Sequence, residues 1–533
     1  MDYQDFLSKS TAKVSNMSQE EMQTALLNLL RMTMPENREK VLQMLDPAQD
    51  SFQKDVTDYA NWFKEMAKKK YHFLREEDDY YDYDDEWDFS DSDDYQDIYQ
   101  MGEMLRKIFD LAEQLIYTSH YREAAELYAR CCTFSYRLHD EVTGEESELS
   151  FDDVMSELME EVECKKIAMN LLYTAIQMSS STEHLEELYR YYSFDMCYSI
   201  TLEEIISTGP KPIERLEQFL AEWIQFLSKV EGSLADRLLM DAIAHSPALA
   251  DERALHQLAR ETANLHPTVY LKYIEQLVGE KEWQKVLTIG VEALEAIPRA
   301  NKVRSTIARK LIKIAERLNN SAVSYEARLA AYYSDPQLVN LFPVITEPLQ
   351  EEDRLALLEF TQTDETVEER QQLLFFLQQF GQVYELEQQE RQKVEIGWNS
   401  YSTGEIVPLY LLLLRKGPFS KAATQVIASR LSMDLVCFED YFEEWKTSVT
   451  LPEEEQEIYL NWCQLEVEKV TDVLIDSKYR KYYMQMAALI VLLGEAMEGS
   501  GILNACQELI QAYRQQHKQK RNFIQELAVF ADE

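Results

Sequence analysis

Eight His and seven Cys are the residues of this 533-residue chain best suited to hold a metal, and their spacing does not suit one. His72, His120, His139, His184, His245, His256, His266 and His517 lie in no HExxH context. Cys131, Cys132, Cys164, Cys197, Cys437, Cys463 and Cys506 form no CxxC pair. Each His reads as structural. Asp82, Asp84, Glu86 and Asp88 cluster hard oxygen ligands, yet Trp87 stands where a calcium loop needs glycine. Three readings stay open there: a solvated acidic linker, weak divalent-cation binding, and a docking segment in which Trp87 and Phe89 insert while acids rim the contact. Asp and Glu together number 96, so neighbouring carboxylates occur everywhere and nominate no general acid and base. No GxxxxGK[ST], GxGxxG or GxSxG is present, and Gly417-Pro418-Phe419-Ser420-Lys421 reads as a turn. No catalytic, cofactor or metal residue is therefore nominated, and a non-enzymatic role is expected.

The strongest local feature runs against the global charge. From Lys302 to Arg317 there are six basic residues (Lys302, Arg304, Arg309, Lys310, Lys313, Arg317) and one acid, Glu316. Arg309, Lys313 and Arg317 are spaced by four and line one face of a helix. Such a face neutralises acidic faces of neighbouring repeats, receives an acidic partner or a nucleic-acid backbone, or is covered by the Glu76 to Asp97 tract. A second basic cluster, Arg514, His517, Lys518, Lys520 and Arg521, suits a helix terminus, where cations are favoured.

The elements that must carry these residues are helical. Gly and Pro number 13 each, far below average usage of about 7% and 5%, which argues against all-β and phosphate-loop architectures. Ser18-Gln19-Glu20-Glu21 has capping-box spacing and Met22, Ala25, Leu26, Leu29 and Leu30 follow it at helical period. Ile213, Leu216, Phe219, Leu220, Trp223 and Leu227 predict a helix from Pro212. Trp398, beside Gly397, Asn399 and Gly404, reads as a turn anchoring the next apolar helix. Thirteen of the 22 residues from Glu76 to Asp97 are acidic, with six aromatics among them, which marks a linker. The domain reading is an N-terminal helical segment (1–75), an acidic aromatic linker (76–100), a first helical-repeat block (101–245), a tetratricopeptide-like block (246–350) and a C-terminal helical-repeat block (351–533).

Two segments show tetratricopeptide-like spacing. Leu111, Ala112, Leu115, Tyr121, Ala124, Tyr128 and Cys131 form the first, with Ser119 at the usual Gly. Tyr273, Leu277, Trp283, Val286, Ala293 and Pro298 form the second, with Gly290 where a large aromatic is usual. The expected fold is all-α, a tetratricopeptide-like helical-repeat solenoid of stacked antiparallel helix pairs.

Four stretches carry a family resemblance. They are Trp87-Asp88-Phe89 through Tyr121-Arg122-Glu123-Ala124 to the acidic turn Asp140 to Glu145; Trp283 through Ile297-Pro298 to Asp335-Pro336; Gly397-Trp398-Asn399-Ser400 with Ile406 to Leu414; and Tyr479-Arg480-Lys481-Tyr482 to Arg521-Asn522-Phe523. In this order they resemble the helical-repeat region that accompanies SWIM-type zinc fingers in bacterial proteins. The finger's Cys-x-Cys and Cys-x-His are absent here, so zinc and finger-based nucleic-acid binding are not carried over. The resemblance implies an all-helical scaffold working beside other proteins.

A net charge of −43 repels nucleic acid and anionic lipid and favours a protein partner with a basic face. The longest apolar runs, Ile406 to Leu414 and Met486 to Leu493, are about half of what a spanning helix needs. Seven unpatterned cysteines and no basic-apolar leader point to the cytoplasm. The expectation is a protein-interaction scaffold binding a macromolecular partner in a helical-repeat groove, without cofactor, membrane or direct nucleic-acid contact. The alternative is an accessory subunit of a nucleic-acid-associated, SWIM-finger-like complex, or an acidic mimic of nucleic acid.

Overall fold

The computed structural model describes residues 13–14, 17–32, 34, 51–75, 96–141, 143–179, 182–346, 349–360, 367–393, 406–430, 435–476 and 480–531. Trp87 and Phe89 with the acidic tract 76–95, and the turn around Trp398, lie outside the described residues. The chain divides into two compact units, Met1–Val269 and Tyr270–Glu533. Both are mostly helical, in keeping with the scarcity of glycine and proline.

In the first unit, α1 (Gln19–Met32) begins where the capping box places it. Glu21 Oε2 accepts from the Ser18 N–H at 2.8 Å and Ser18 Oγ accepts from the Glu21 N–H at 3.3 Å. Its apolar stripe faces solvent, with Met22 43% and Leu29 65% exposed. α2 (Ser51–Met66) instead buries Val56, Ala60 and Phe63 along one face.

A small sheet lies among these helices, and the described residues remain mostly helical, in keeping with the all-α expectation. Its strands are β1 (Phe73–Arg75), β2 (Gln96–Asp97), β3 (Tyr136–Asp140) and β4 (Glu146–Leu149), in the order β2-β1-β3-β4. β1 pairs antiparallel with β2, Leu74 opposite Gln96, and parallel with β3. The residues on either side of the acidic tract, Arg75 and Gln96, thus lie on neighbouring strands. β3 and β4 form a hairpin over the acidic turn, where Gly144 takes φ 72°.

Asp97 caps α3 (Met101–Tyr117) by accepting from the N–H groups of Met101 at 2.7 Å and Gly102 at 2.8 Å. α4 (Tyr121–Thr133) packs back on α3. Then come α5 (Phe151–Leu158), α6 (Glu161–Met178), α7 (Thr182–Tyr191), α8 (Asp195–Tyr198), α9 (Leu202–Thr208), α10 (Leu216–Leu227), α11 (Ser233–His245) and α12 (Glu252–Thr262). The stripe expected from Pro212 is buried at Ile213, Phe219, Leu220, Trp223 and Leu227, but helix α10 starts only after Arg215, which is held at φ 57°.

α13 (Thr268–Gly279) carries the boundary between the units. The second unit continues with α14 (Trp283–Ala296), α15 (Lys302–Arg317), α16 (Ser321–Ser334), α17 (Leu338–Ile345), α18 (Glu351–Phe360), α19 (Val367–Phe376) and α20 (Phe380–Lys393). It ends with α21 (Ile406–Leu414), α22 (Lys421–Arg430), α23 (Leu435–Lys446), α24 (Glu453–Asp476), α25 (Tyr483–Gly499), α26 (Ala505–Gln516) and α27 (Arg521–Ala531). The two longest apolar runs form the centre of this unit: every residue of α21 is buried, and so is the whole of Met486 to Leu493 on α25. Tyr410 of α21 meets Phe375, Tyr459 and Trp462 in an aromatic cluster and donates its hydroxyl to the Phe380 carbonyl at 2.6 Å. At Gly494 a Cβ would stand 2.5 Å from the Cys506 Cα, so only glycine lets α25 and α26 approach this closely. Among the described residues no helix is long and apolar enough to cross a membrane.

One connection recurs in both units. Between α3 and α4, α13 and α14, α15 and α16, and α19 and α20, three residues link the helices and the middle one is left-handed: Ser119 (φ 66°), Lys281 (φ 62°), Asn319 (φ 55°) and Gln378 (φ 61°). The following N–H, of His120, Glu282, Asn320 or Gln379, reaches the carbonyl five residues back at 2.8, 3.0, 2.8 and 2.9 Å. The left-handed residue bonds three back, to Ile116, Val278, Glu316 or Phe375. This is the Schellman pattern of helix termination, made four times without the glycine that favours it.

Candidate interaction surfaces

The basic run lies on α15, and helix geometry sorts its six cations into two groups. Ile307, Ala308, Leu311, Ile314 and Ala315 fix the buried face of α15, while Asn301 Oδ1 caps it by accepting from the Val303 N–H at 2.9 Å. Arg304 emerges beside that face and is half-buried. Its guanidinium donates to the carbonyls of Leu294 on α14 at 2.9 Å and Ala330 on α16 at 3.2 Å, and to Ser334 Oγ at 2.7 Å. Burial, with Arg299 nearby, lowers its pKa. Arg304 therefore clamps three helices together. Lys310 pairs with Glu275 of α13 at 3.1 Å, and Arg317 stacks on the Trp283 ring at 4.5 Å. Lys302, Arg309 and Lys313 face solvent on one side of the helix, and none of them makes an ion pair among the described residues. Of the predicted line Arg309–Lys313–Arg317, the first two point outward and the third is turned onto Trp283.

Two members of the second cluster, His517 and Lys520, are engaged at helix ends. Lys520 Nζ donates to the Ile475 carbonyl at 2.7 Å, near the end of α24, and the His517 ring stacks on Tyr513 with centroids 6.0 Å apart.

A groove that the sequence reading did not single out runs between α20 and α24, with a volume of about 570 Å³. Trp462 and Leu465 supply its apolar surface, and Leu465 is 62% exposed. Glu466, Glu468 and Asp472 wall it from α24, against the single cation Lys469, which pairs with Glu466 at 3.1 Å. Glu468 is held by the Gln464 amide at 2.8 Å and Asp472 by the Gln516 amide at 3.1 Å, so both carboxylates are positioned. The signal available in the sequence was Leu465 itself, a leucine off the buried stripe that includes Cys463, Val467, Val470 and Leu474.

Elsewhere the reactive residue types serve structure. Both ring nitrogens of the buried His72 meet backbone, the Met66 carbonyl at 3.0 Å and the Arg137 N–H at 3.0 Å, and burial lowers its pKa. His266 is held between Asp236 at 3.3 Å and the Leu227 carbonyl at 3.0 Å. Burial raises the thiol pKa of Cys131, Cys132, Cys164 and Cys197, and that of Cys506 to about 11, which keeps them protonated near neutral pH. In a recess of about 310 Å³ between α4, α6 and α7, Glu187 accepts from the Tyr191 hydroxyl at 2.6 Å and Glu126 pairs with Arg130 at 2.7 Å. Among the described residues no three His, Cys, Asp or Glu side chains are grouped to hold a metal ion.

The chain matches no family model, no curated protein and no solved structure.

Proposed function

We propose that this chain is a non-enzymatic interaction scaffold, a tetratricopeptide-like helical-repeat protein whose α20–α24 groove takes a protein partner with a basic face. The observation that carries the reading is the groove: an exposed leucine set between positioned carboxylates offers one apolar anchor point and a rim for Lys or Arg. The net charge of −43 adds long-range attraction for the same class of partner. Support for the repeat architecture is the recurring three-residue connection with its left-handed middle residue, which includes Ser119 and precedes Trp283, both at tetratricopeptide-like positions. The thiols of Cys131, Cys132, Cys164, Cys197 and Cys506, which burial keeps protonated and which form no disulfide among the described residues, suit the reducing cytoplasm as its place of action.

A second reading is favoured by α15. Lys302, Arg309 and Lys313 are an outward cationic face on an acidic protein, and they suit an accessory subunit seated beside nucleic acid in a SWIM-finger-like complex. The test of the first reading is charge reversal in the groove, at Glu468 and Asp472, which is expected to abolish partner capture. Charge reversal of Lys302, Arg309 and Lys313 is expected to leave that capture intact. The opposite pattern transfers the function to α15.

A further inference from the structure

The α20–α24 groove is one side of a longer stripe. Ile458, Leu465 and Asp472 recur every seven residues on α24, which sets them in line along one face with about 10 Å between neighbours. Cys463, Val467, Val470 and Leu474 mark the opposite, buried face. The outward side of a surface helix is ordinarily polar, yet here Ile458 is 49% and Leu465 62% exposed. Acids stand beyond both of them, Glu454 and Glu457 before Ile458 and Glu468 and Asp472 after Leu465.

The spacing selects a helix as the occupant. A partner helix repeats its own face every seven residues, so two of its apolar side chains meet Ile458 and Leu465 together. An extended segment covers about 10 Å in three residues, and its third side chain then points to the other face. The charges select the sign. From Glu453 to Asp472 there are seven acids and one base, Lys469, which is 3.1 Å from Glu466. A second copy of this face would set acids against acids, and a nucleic-acid backbone or an anionic membrane would be repelled in the same way.

We propose, in a step that rests on the groove being a partner site, that an amphipathic α-helix of the partner covers this stripe. Two of its apolar residues, seven apart, rest on Ile458 and Leu465, and Lys or Arg follows beyond each. Those cations answer Glu454 and Glu457 at one end and Glu468 and Asp472 at the other. The amides of Gln464 and Gln516 hold the last two carboxylates at 2.8 and 3.1 Å, so that end of the contact is positioned before the partner arrives.

The experiment is fluorescence anisotropy of the full chain with three labelled, alanine- and glutamine-based peptides of about 21 residues at physiological salt. The first carries leucines seven apart with lysines three and four residues outside each. The second keeps that composition with the leucines five apart, on opposite faces, and the third replaces lysine by glutamate. The first is expected to bind about tenfold or more tighter than the second, and the third not at all. Ile458→Asp and Leu465→Asp, both at exposed positions, are each expected to weaken the first peptide about tenfold. Equal binding of the two lysine peptides, binding of neither, or binding that survives both substitutions would overturn the proposal. A dimer of the full chain in sedimentation that Ile458→Asp abolishes would overturn it too, by placing a second copy on the stripe. The groove reading fails separately, when charge reversal of Glu468 and Asp472 leaves capture of the native partner unchanged. Capture lost on that reversal but kept by Ile458→Asp would sink the helical stripe alone.

Discussion

Replacing the left-handed residue of each recurring connection by glycine tests whether these turns are built as described. A non-glycine residue held left-handed costs roughly 1–2 kcal/mol, and glycine forfeits roughly 0.5–1 kcal/mol of unfolded-state entropy, so the substitution should gain about 0.5–1 kcal/mol where the side chain does nothing else. Lys281 meets that condition, since it is exposed and makes no ion pair among the described residues. Gln378 nearly does, with one 3.5 Å contact to Ser448 Oγ at the surface. Asn319 should gain close to nothing, because asparagine tolerates this geometry better than other residues. One residue away the sign reverses. Leu318 has φ −94°, so Leu318→Gly should lose about 0.5–1 kcal/mol. All of these positions lie in the second unit and are read from the same urea transition, as midpoint shifts at constant slope. Lys281→Gly and Gln378→Gly destabilising as much as Leu318→Gly would refute the left-handed assignment.

Two further perturbations address the charged residues. Arg304→Ala removes three hydrogen bonds from a half-buried cation and is expected to cost about 2–3 kcal/mol, whereas Lys313→Ala on the outer face should stay within about 0.5 kcal/mol; equal costs in urea unfolding would contradict their placement. Lys446 Nζ donates to the carbonyls of Leu412 at 2.9 Å and Arg415 at 2.7 Å at the end of α21, and burial lowers its pKa to about 8. The unfolded value is about 10.4, so the folded state releases this proton first. The cost of the buried charge is therefore present in full below the folded value and relieved as pH rises from about 8 to about 10.4. Undiscounted, the shift corresponds to about 3 kcal/mol, which partial solvent access reduces to about 1–2 kcal/mol. The wild-type chain should gain that much on Lys446→Met between about pH 7 and about pH 10. A gap in melting temperature that stays constant or moves the other way would contradict this burial.

What the sequence exposed was what has a period or a fixed local pattern. The Ser18 box, the apolar runs at the centre of the second unit and the acidic hairpin turn are each set by residues within a few positions of one another. The sheet was hidden because strands of two to five residues offer no alternation to count, and β1 finds its partners more than 20 and 60 residues away. Arg304 and Lys313 look alike in sequence. Only the carbonyls of Leu294 and Ala330, brought in from two other helices, make one of them structural. The groove was masked by abundance, since Glu468 and Asp472 are two acids among 96, and their distinction lies in the amides of Gln464 and Gln516 that orient them. Ser119 stood where glycine is usual, and its φ of 66° supplies the reason glycine suits that place.

The most direct measurement of the central claim is affinity capture of the full chain from its native host at low and moderate salt, beside a variant carrying Leu465→Asp, Glu468→Lys and Asp472→Lys. Leu465 is exposed and both carboxylates lie at the groove wall, so this variant should fold. The account predicts a stoichiometric partner with a basic face, held at low salt, released as salt rises, and missing from the groove variant. No partner under either condition, or one that the groove variant holds as well as the wild type does, would contradict it.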